Sequence, residues 1–243
     1  MSEERVVVVT GSTSGIGLAI AQRCLAAGWR VVLNSRSSGD VVQAIVSASD
    51  NAVHVPGDVG VEEDCRRIVD AAVSTWGRLD GLVNNAGATE FIALNDVEAV
   101  TPEIWRRILD VNVIGTWQLT TAALPHLRAA APGRVVNMAS IAGVRPVGSS
   151  VPYSVSKAAL VQMTALLGKA LGPEVLVNAV APGLIDTPWT EPWTEAREDI
   201  PKVAPLGRLG LADEVAALTE HLLNTTYTTG ECVTIDGGLR LVR

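Results

Sequence analysis

Val6-Val7-Val8-Val9-Thr10-Gly11-Ser12-Thr13-Ser14-Gly15-Ile16-Gly17 stands near the start of this chain. Four consecutive β-branched residues read as a strand covered on both faces. A glycine-rich turn follows, and apolar residues then recur at helical spacing over 16–27. Gly28 suits a helix end. Strand, tight turn and helix in direct succession make the first half of a βαβ unit, which implies a parallel sheet with helices over it.

The same alternation continues along the chain. Short apolar runs at 30–34, 52–55, 81–84, 133–138, 175–180 and 232–236 read as further strands. Helical spacing occupies 41–48, 61–76, 102–127, 152–171 and 212–223. Pro102 suits the first turn of its helix, and Pro125 predicts a kink or early stop. The pattern predicts one α/β domain over 1–243, a Rossmann-like doubly wound parallel sheet of about seven strands with helices on both faces. Ligands of such sheets gather outside the carboxyl ends of the strands. The glycine-rich turn, Asn84 to Gly87, Ser140 and Pro182-Gly183 each follow a predicted strand directly. Four segments are therefore expected to converge on one edge of the sheet.

Composition narrows the partners. The 243 residues are 48% hydrophobic, enough for one sizeable core, and carry a net charge of -7. An acidic chain lacks the basic field that phosphate backbones require, so no nucleic-acid partner is expected. The longest apolar stretches fall short of a membrane span, and no membrane partner is expected either. Met1 to Arg5 is charged and leads straight into a strand, unlike a signal peptide. A cytoplasmic location follows by elimination. Cys24, Cys65 and Cys232 are far apart and match no metal spacing, so no metal site is predicted. They read as small buried thiols in a reducing compartment.

Gly11, Gly15 and Gly17 let backbone N–H groups approach a phosphate at the positive end of a helix. Ser14 and Ile16 lie in the same turn. In such a site an acidic residue ending the second strand binds a ribose 2′-hydroxyl, whereas an arginine there accommodates a 2′-phosphate. This chain reads Leu33-Asn34-Ser35-Arg36, with no carboxylate. NADP(H) is therefore predicted over NAD(H), with Ser12, Ser35 and Arg36 near the extra phosphate.

Tyr153 and Lys157 lie one helical turn apart, sharing a face about 6 Å apart along the axis. A phenol with a pKa of about 10 is a weak acid and a poor base at neutral pH. A nearby ammonium is expected to favour its ionised form, tuning it to give or take the proton of an alcohol. The hydroxyl of Ser140 is placed to hold a carbonyl oxygen as negative charge grows on it.

With these residues identified, the chain resembles the short-chain dehydrogenase/reductase family over about Val6 to Gly238. The resemblance rests on Thr10 to Gly17, Asp58-Val59, Asn84-Asn85-Ala86-Gly87, Asn112, Ser140, Tyr-x-x-x-Lys at 153–157, Pro182-Gly183 and Ile235-Asp236-Gly237-Gly238. It implies Tyr153 as general acid/base, Ser140 as its substrate-positioning partner, and Lys157 as a group that lowers the Tyr153 pKa and holds the nicotinamide ribose. It implies that Asn112 kinks the long helix and holds a water in a proton relay to Lys157. Asp58 and Val59 would flank the adenine. Asn85, Ala86 and Gly87 would line the cofactor, as would Pro182, Gly183 and Ile185, with Thr187 on the nicotinamide amide. It further implies a homotetramer, or a homodimer, through the helices at 102–127 and 152–171.

The resemblance makes about 186–206 the substrate lid. Pro-Trp-Thr-Glu occurs there twice, at 188–191 and 192–195. Trp189 and Trp193 either wall the substrate or pack on the body of the lid. Gly143 to Pro152 would form the opposite wall, with Val144, Arg145 and Val147 as candidates. Arg145 either steers an acidic substrate or is solvated. Some members of the family reduce 3-oxoacyl groups on an acyl carrier protein and present basic residues beside the site. The comparable segments here, 129–133 and 172–174, carry none, although Arg128 and Arg134 flank the first. The expected activity is NADPH-dependent reduction of a free small or medium ketone to a secondary alcohol. The alternatives are a carrier-bound 3-oxoacyl substrate, oxidation of an alcohol, and a non-catalytic NADP(H) sensor.

Overall fold

The computed structural model describes residues 4–37 and 39–242. Met1, Ser2 and Glu3 of the charged opening segment lie outside the described residues, as do Ser38 and Arg243.

Seven strands form one parallel sheet: β1 (Val6–Val9), β2 (Arg30–Ser35), β3 (Ala52–Pro56), β4 (Gly81–Asn84), β5 (Gly133–Met138), β6 (Val175–Pro182) and, last in the chain, Cys232–Ile235. The spatial order is β3-β2-β1-β4-β5-β6 and then Cys232–Ile235, with the direction of winding reversing at β1. The valines of β1 show why its run is unbroken. Val7 and Val9 pack on one face with Ile20, Ala21 and Cys24 of α1 (Gly15–Ala26). Val6 and Val8 pack on the other with Cys65, Ile68 and Val69 of α3 (Glu62–Trp76), which follows α2 (Asp40–Ala48). All four valines are fully buried, so each side of the strand needs apolar residues.

The helix expected over 102–127 is two helices. α4 (Pro102–Leu109) and α5 (Gly115–Ala129) are separated by a π-helical turn over Asp110–Ile114. The cause lies in Asn112. Its Oδ1 accepts from the Ala88 N–H at 2.7 Å and its Nδ2 donates to the Ala88 carbonyl at 2.9 Å. Two bonds to a neighbouring loop hold one wide turn in the helix, as at many functional π-bulges. Pro125, in contrast, does not stop the helix, which runs on to Ala129. Leu119, Ala123 and Leu127 bury one stripe of α5 against the sheet across the proline.

α6 (Val151–Leu171) then leads into β6. In and just beyond the expected lid are elements that the sequence pattern did not signal. β7 (Ile185–Asp186) and β8 (Gly210–Leu211) form a small parallel pair, with α7 (Thr194–Val203) between them. α8 (Ala212–Asn224) packs beside α1, and β9 (Cys232–Ile235) completes the main sheet. No helix among the described residues is long and apolar enough to cross a membrane.

Candidate active site

The carboxyl ends of β1, β2, β4, β5 and β6 border one cavity of about 1010 Å³. Gly11, Ser14, Gly15, Ile16 and Gly17 line it, as do Ser35, Arg36, Asp58 and Val59. So do Asn85, Ala86, Gly87, Ser140, Tyr153 and Lys157, together with Pro182, Gly183, Ile185 and Thr187. Two predicted site residues do not reach the cavity wall. Ser12 is fully buried, and its hydroxyl donates to the Asn34 carbonyl and accepts from the Asn34 N–H at 3.0 Å. It ties the turn to β2 and does not face an extra phosphate. Asn112 is buried behind the wall.

The glycine turn is built for close approach. A Cβ on Gly17 would lie 2.2 Å from the Gly11 carbonyl oxygen and 2.4 Å from Asn85 Nδ2. Asn85 Nδ2 in turn donates to the carbonyls of Thr10 and Gly11 at 2.9 and 3.1 Å. The segment after β4 thus fixes the turn after β1. The N-terminus of α1 has no side-chain cap and no acidic residue in its first turn. Its free N–H groups and partial positive charge are left for an anion. The methyl and Cβ of Thr187 lie 3.3 Å from where a Gly15 Cβ would be, so the segment after β6 closes over the same turn.

At the end of β2, Asn34 is buried and its amide donates to the carbonyls of Val55 and Gly57 at 3.1 and 3.2 Å. The Ser35 hydroxyl donates to the Ser37 carbonyl at 2.6 Å. Arg36 is exposed on the cavity and has no ion pair among the described residues. Asp58 accepts from the Gly60 N–H at 2.9 Å, a turn that leaves Val59 against the cavity.

Deeper in, Tyr153 and Lys157 project from α6 toward Ser140 at the end of β5. The Ser140 side chain lies close enough to the Tyr153 phenol to influence its titration and accepts from the Ala142 N–H at 3.1 Å. Lys157 is buried, donates to the Met138 carbonyl at 2.7 Å and lies 5.6 Å from the centroid of the Tyr153 ring. A Cβ on Gly87 would sit 3.7 Å from Lys157 Nζ and 3.4 Å from Asn112 Oδ1, so this residue packs beside both groups. The Asn112 amide also donates to the Ser156 hydroxyl at 2.8 Å, which donates to the Tyr153 carbonyl at 2.7 Å. Ser156, which no motif singled out, thereby ties the π turn to the backbone of Tyr153.

Titration differs from the sequence expectation. The Tyr153 phenol is held above its ordinary value because burial penalises the phenolate, and the Ser140 side chain offsets this only in part. Lys157 bears the same burial and is pushed down to about 8. Burial is the largest cause for both groups. A proton-bearing phenol beside an oriented hydroxyl can donate to a developing alkoxide.

The opposite end of the cavity is apolar. Trp189 and Trp193 both line it, with Val147 and Arg145, whereas Val144 does not. Phe91, Ile200, Val203, Leu239 and Val242 line it too, and the sequence pattern marked none of them. The Arg145 guanidinium donates to the Leu239 carbonyl at 2.7 Å. The thiols stay out of the chemistry, with burial raising Cys24 and Cys65 to about 12 and Cys232 to about 11.

A glycine cradle at the topological switch point and a Ser–Tyr–Lys group at the neighbouring strand ends define an oxidoreductase that acts on CH–OH groups. A family model described as "Enoyl-(Acyl carrier protein) reductase" matches residues 11–240. The "Granaticin polyketide synthase putative ketoacyl reductase 2" of Streptomyces violaceoruber is 50% identical, over 99% of this chain and 98% of its own. Human "Dehydrogenase/reductase SDR family member 4" is 37% identical, over 96% of this chain and 87% of its own. A crystal structure of a short-chain dehydrogenase/reductase of the glucose/ribitol dehydrogenase type, from Brucella melitensis, superposes with a TM-score of 0.89. It shares 30% identity over 97% of this chain and 96% of that one. The chain belongs to the short-chain dehydrogenase/reductase family, whose members work with a nicotinamide dinucleotide.

Proposed function

We propose that this protein reduces a free small or medium ketone to a secondary alcohol with NADPH, residues 1–243 acting as one catalytic domain with a lid at about 186–206. The observation that carries the reading is one cavity bordered both by the glycine cradle and by Ser140, Tyr153 and Lys157. The residues fit a dinucleotide, since Gly17 leaves room where a Cβ would meet backbone, and the uncapped α1 N-terminus suits a pyrophosphate.

When bound, the nicotinamide supplies the hydride for the carbonyl carbon. Ser140 holds the carbonyl oxygen by its hydroxyl. Tyr153 gives its proton to that oxygen as charge develops there, and the raised phenol pKa keeps the proton in place until then. Lys157 offers a hydrogen bond to the ribose and a positive charge beside the phenol. Asn112 holds the π turn and, through Ser156, the backbone of Tyr153. Asp58 and Val59 flank the adenine, while Asn85, Ala86, Pro182, Gly183, Ile185 and Thr187 line the rest of the cofactor.

Preference for NADP(H) is supported by Arg36, exposed on the cavity with its charge uncompensated by any described carboxylate. Arg36→Asp is expected to lower kcat/KM with NADPH at least tenfold, about 1.4 kcal/mol, relative to NADH. A carbonyl panel followed by loss of NADPH and NADH absorbance tests activity and preference together. A panel in which no carbonyl causes loss of NADPH, or a clear preference for NADH, would count against the reading.

The pH dependence has a definite sign. The Lys157 ammonium is present below about 8 and lost above it. Reductive kcat/KM for NADPH, which reports the free enzyme, is expected to be level below that pH and to fall as pH rises through it. A profile that instead rises from 7 to 9 would contradict the role given to Lys157.

A second reading, a carrier-bound 3-oxoacyl substrate, is favoured by the name of the polyketide synthase relative. Against it, Arg128 pairs with Glu174 at 3.1 Å, and Arg134 donates to the carbonyls of Thr225 and Pro132. Arg128 thus has its charge paired, whereas the Arg134 charge meets only neutral carbonyls. The apolar Ile114, Trp117, Val155 and Leu166 are exposed on the π turn, α5 and α6, which supports a homotetramer or homodimer. A cytoplasmic setting accords with three free thiols.

A further inference from the structure

The chain has one Phe, two Tyr and six Trp. The only Phe, the catalytic Tyr153 and two of the Trp line this single cavity. Phe91 is 64% exposed and Trp189 44% exposed, so much of their ring surface is left uncovered by the described residues. Phe91 and Trp193 come from segments far apart in the chain. Phe91 follows β4, in a segment held by the Ile92 N–H to the Ser149 carbonyl at 2.7 Å. Trp193 stands at the start of α7. Their rings meet with centroids 5.9 Å apart and planes tilted by 44°. Tilted rings at this separation are a preferred aromatic geometry, and Phe91 keeps most of its surface exposed.

The polar groups near this end are already engaged. The hydroxyls of Thr89 and Ser149 bond each other at 2.5 Å, and Thr190 donates to the Ile185 carbonyl at 2.6 Å. Arg107 is paired with Glu90. A sugar or polyol would meet few free partners here and would lose its bonds to water. Val147, Leu239 and Val242 add aliphatic lining to the same cavity, and the Arg145 guanidinium holds the Leu239 carbonyl.

We propose that this end of the cavity is an aromatic slot for a flat aryl ketone, with Phe91 and Trp193 as its specificity-determining pair. The inference rests on the ketone-reductase reading for turnover, but binding tests it independently.

Acetophenone and cyclohexyl methyl ketone match in carbon count and differ in aromaticity. Calorimetric titration of the protein loaded with NADP+, which cannot reduce a ketone, gives a ratio of Kd values, and NADPH oxidation gives turnover separately. The wild type is expected to bind acetophenone about three- to tenfold more tightly. Phe91→Leu and Trp193→Leu keep apolar volume but remove the ring, and each is expected to bring the ratio close to one. A wild-type ratio near one, or a ratio that both variants preserve, overturns the slot. Selective binding of acetophenone without turnover of either ketone supports the slot and sinks the reductase reading instead.

Discussion

Tyr153→Phe is expected to lower kcat by about 10²–10⁴-fold, the range for loss of a positioned acid or base. Affinity for NADPH is expected to stay at the wild-type level. The phenyl ring keeps the bulk of Tyr153 on α6, and only the hydroxyl is lost. Lys157 stays anchored by Met138, so the change is confined to the proton donor. The measurement pairs steady-state kcat with a fluorescence titration of NADPH. If the variant still turned over ketone at near wild-type rate, another group would be the proton donor. If NADPH binding vanished with activity, the phenol would be a cofactor anchor first. A non-catalytic sensor would show no wild-type turnover at all.

Gly17→Ala is expected to be the most damaging single-methyl change in the chain. The added carbon would meet the Gly11 carbonyl at 2.2 Å and Asn85 Nδ2 at 2.4 Å. The first of these is backbone, fixed by Asn85 itself, and cannot swing aside. Overpacking of this kind costs about 1–3 kcal/mol, which lowers Tm by about 2–12 °C in a chain of this size. The displaced turn is also the proposed pyrophosphate cradle, so NADPH affinity should fall with stability. Gly39→Ala supplies the control, because a Cβ there meets nothing within 4 Å. Equal Tm values for the two variants would show that the turn yields more easily than its geometry implies.

Much of the frame was legible in the sequence, for physical reasons that differ by element. β1 and β4 are covered on both faces, so their apolar runs are continuous and their edges sharp. The break between α4 and α5 was only half legible. A kink at Asn112 was implied by resemblance, but the wide turn depends on bonds to Ala88, 24 residues away. Pro125 misled, because local cost gave way to the buried stripe that crosses it. α7 was hidden by a mixed, polar sequence containing Pro201, so no periodic apolar face announced it.

The site divides in the same way. Residues that touch backbone or carry chemistry sit in short motifs and could be found there. Ser12 was misplaced because its hydroxyl turns inward to Asn34, a choice made by burial rather than spacing. Phe91, Leu239 and Val242 come from segments far apart in the chain, and only the fold brings them to one wall. The titration of Tyr153 was equally out of reach, since it is set by how deeply the pair is buried.

The strand order carries a consequence for synthesis. β1 is made first yet lies in the middle of the sheet, and its first N–H bonds the Asp80 carboxylate, 74 residues later. The glycine turn receives its cover, Thr187, later still. A nascent polypeptide leaving the ribosome therefore holds its β-branched opening segment unpaired until β2 and β4 have emerged. It has no complete pocket until the residues beyond β6 are free of the exit tunnel. Early chaperone contact with that valine run, and no nucleotide capture by shorter translation intermediates, follow from where the first strand ends up.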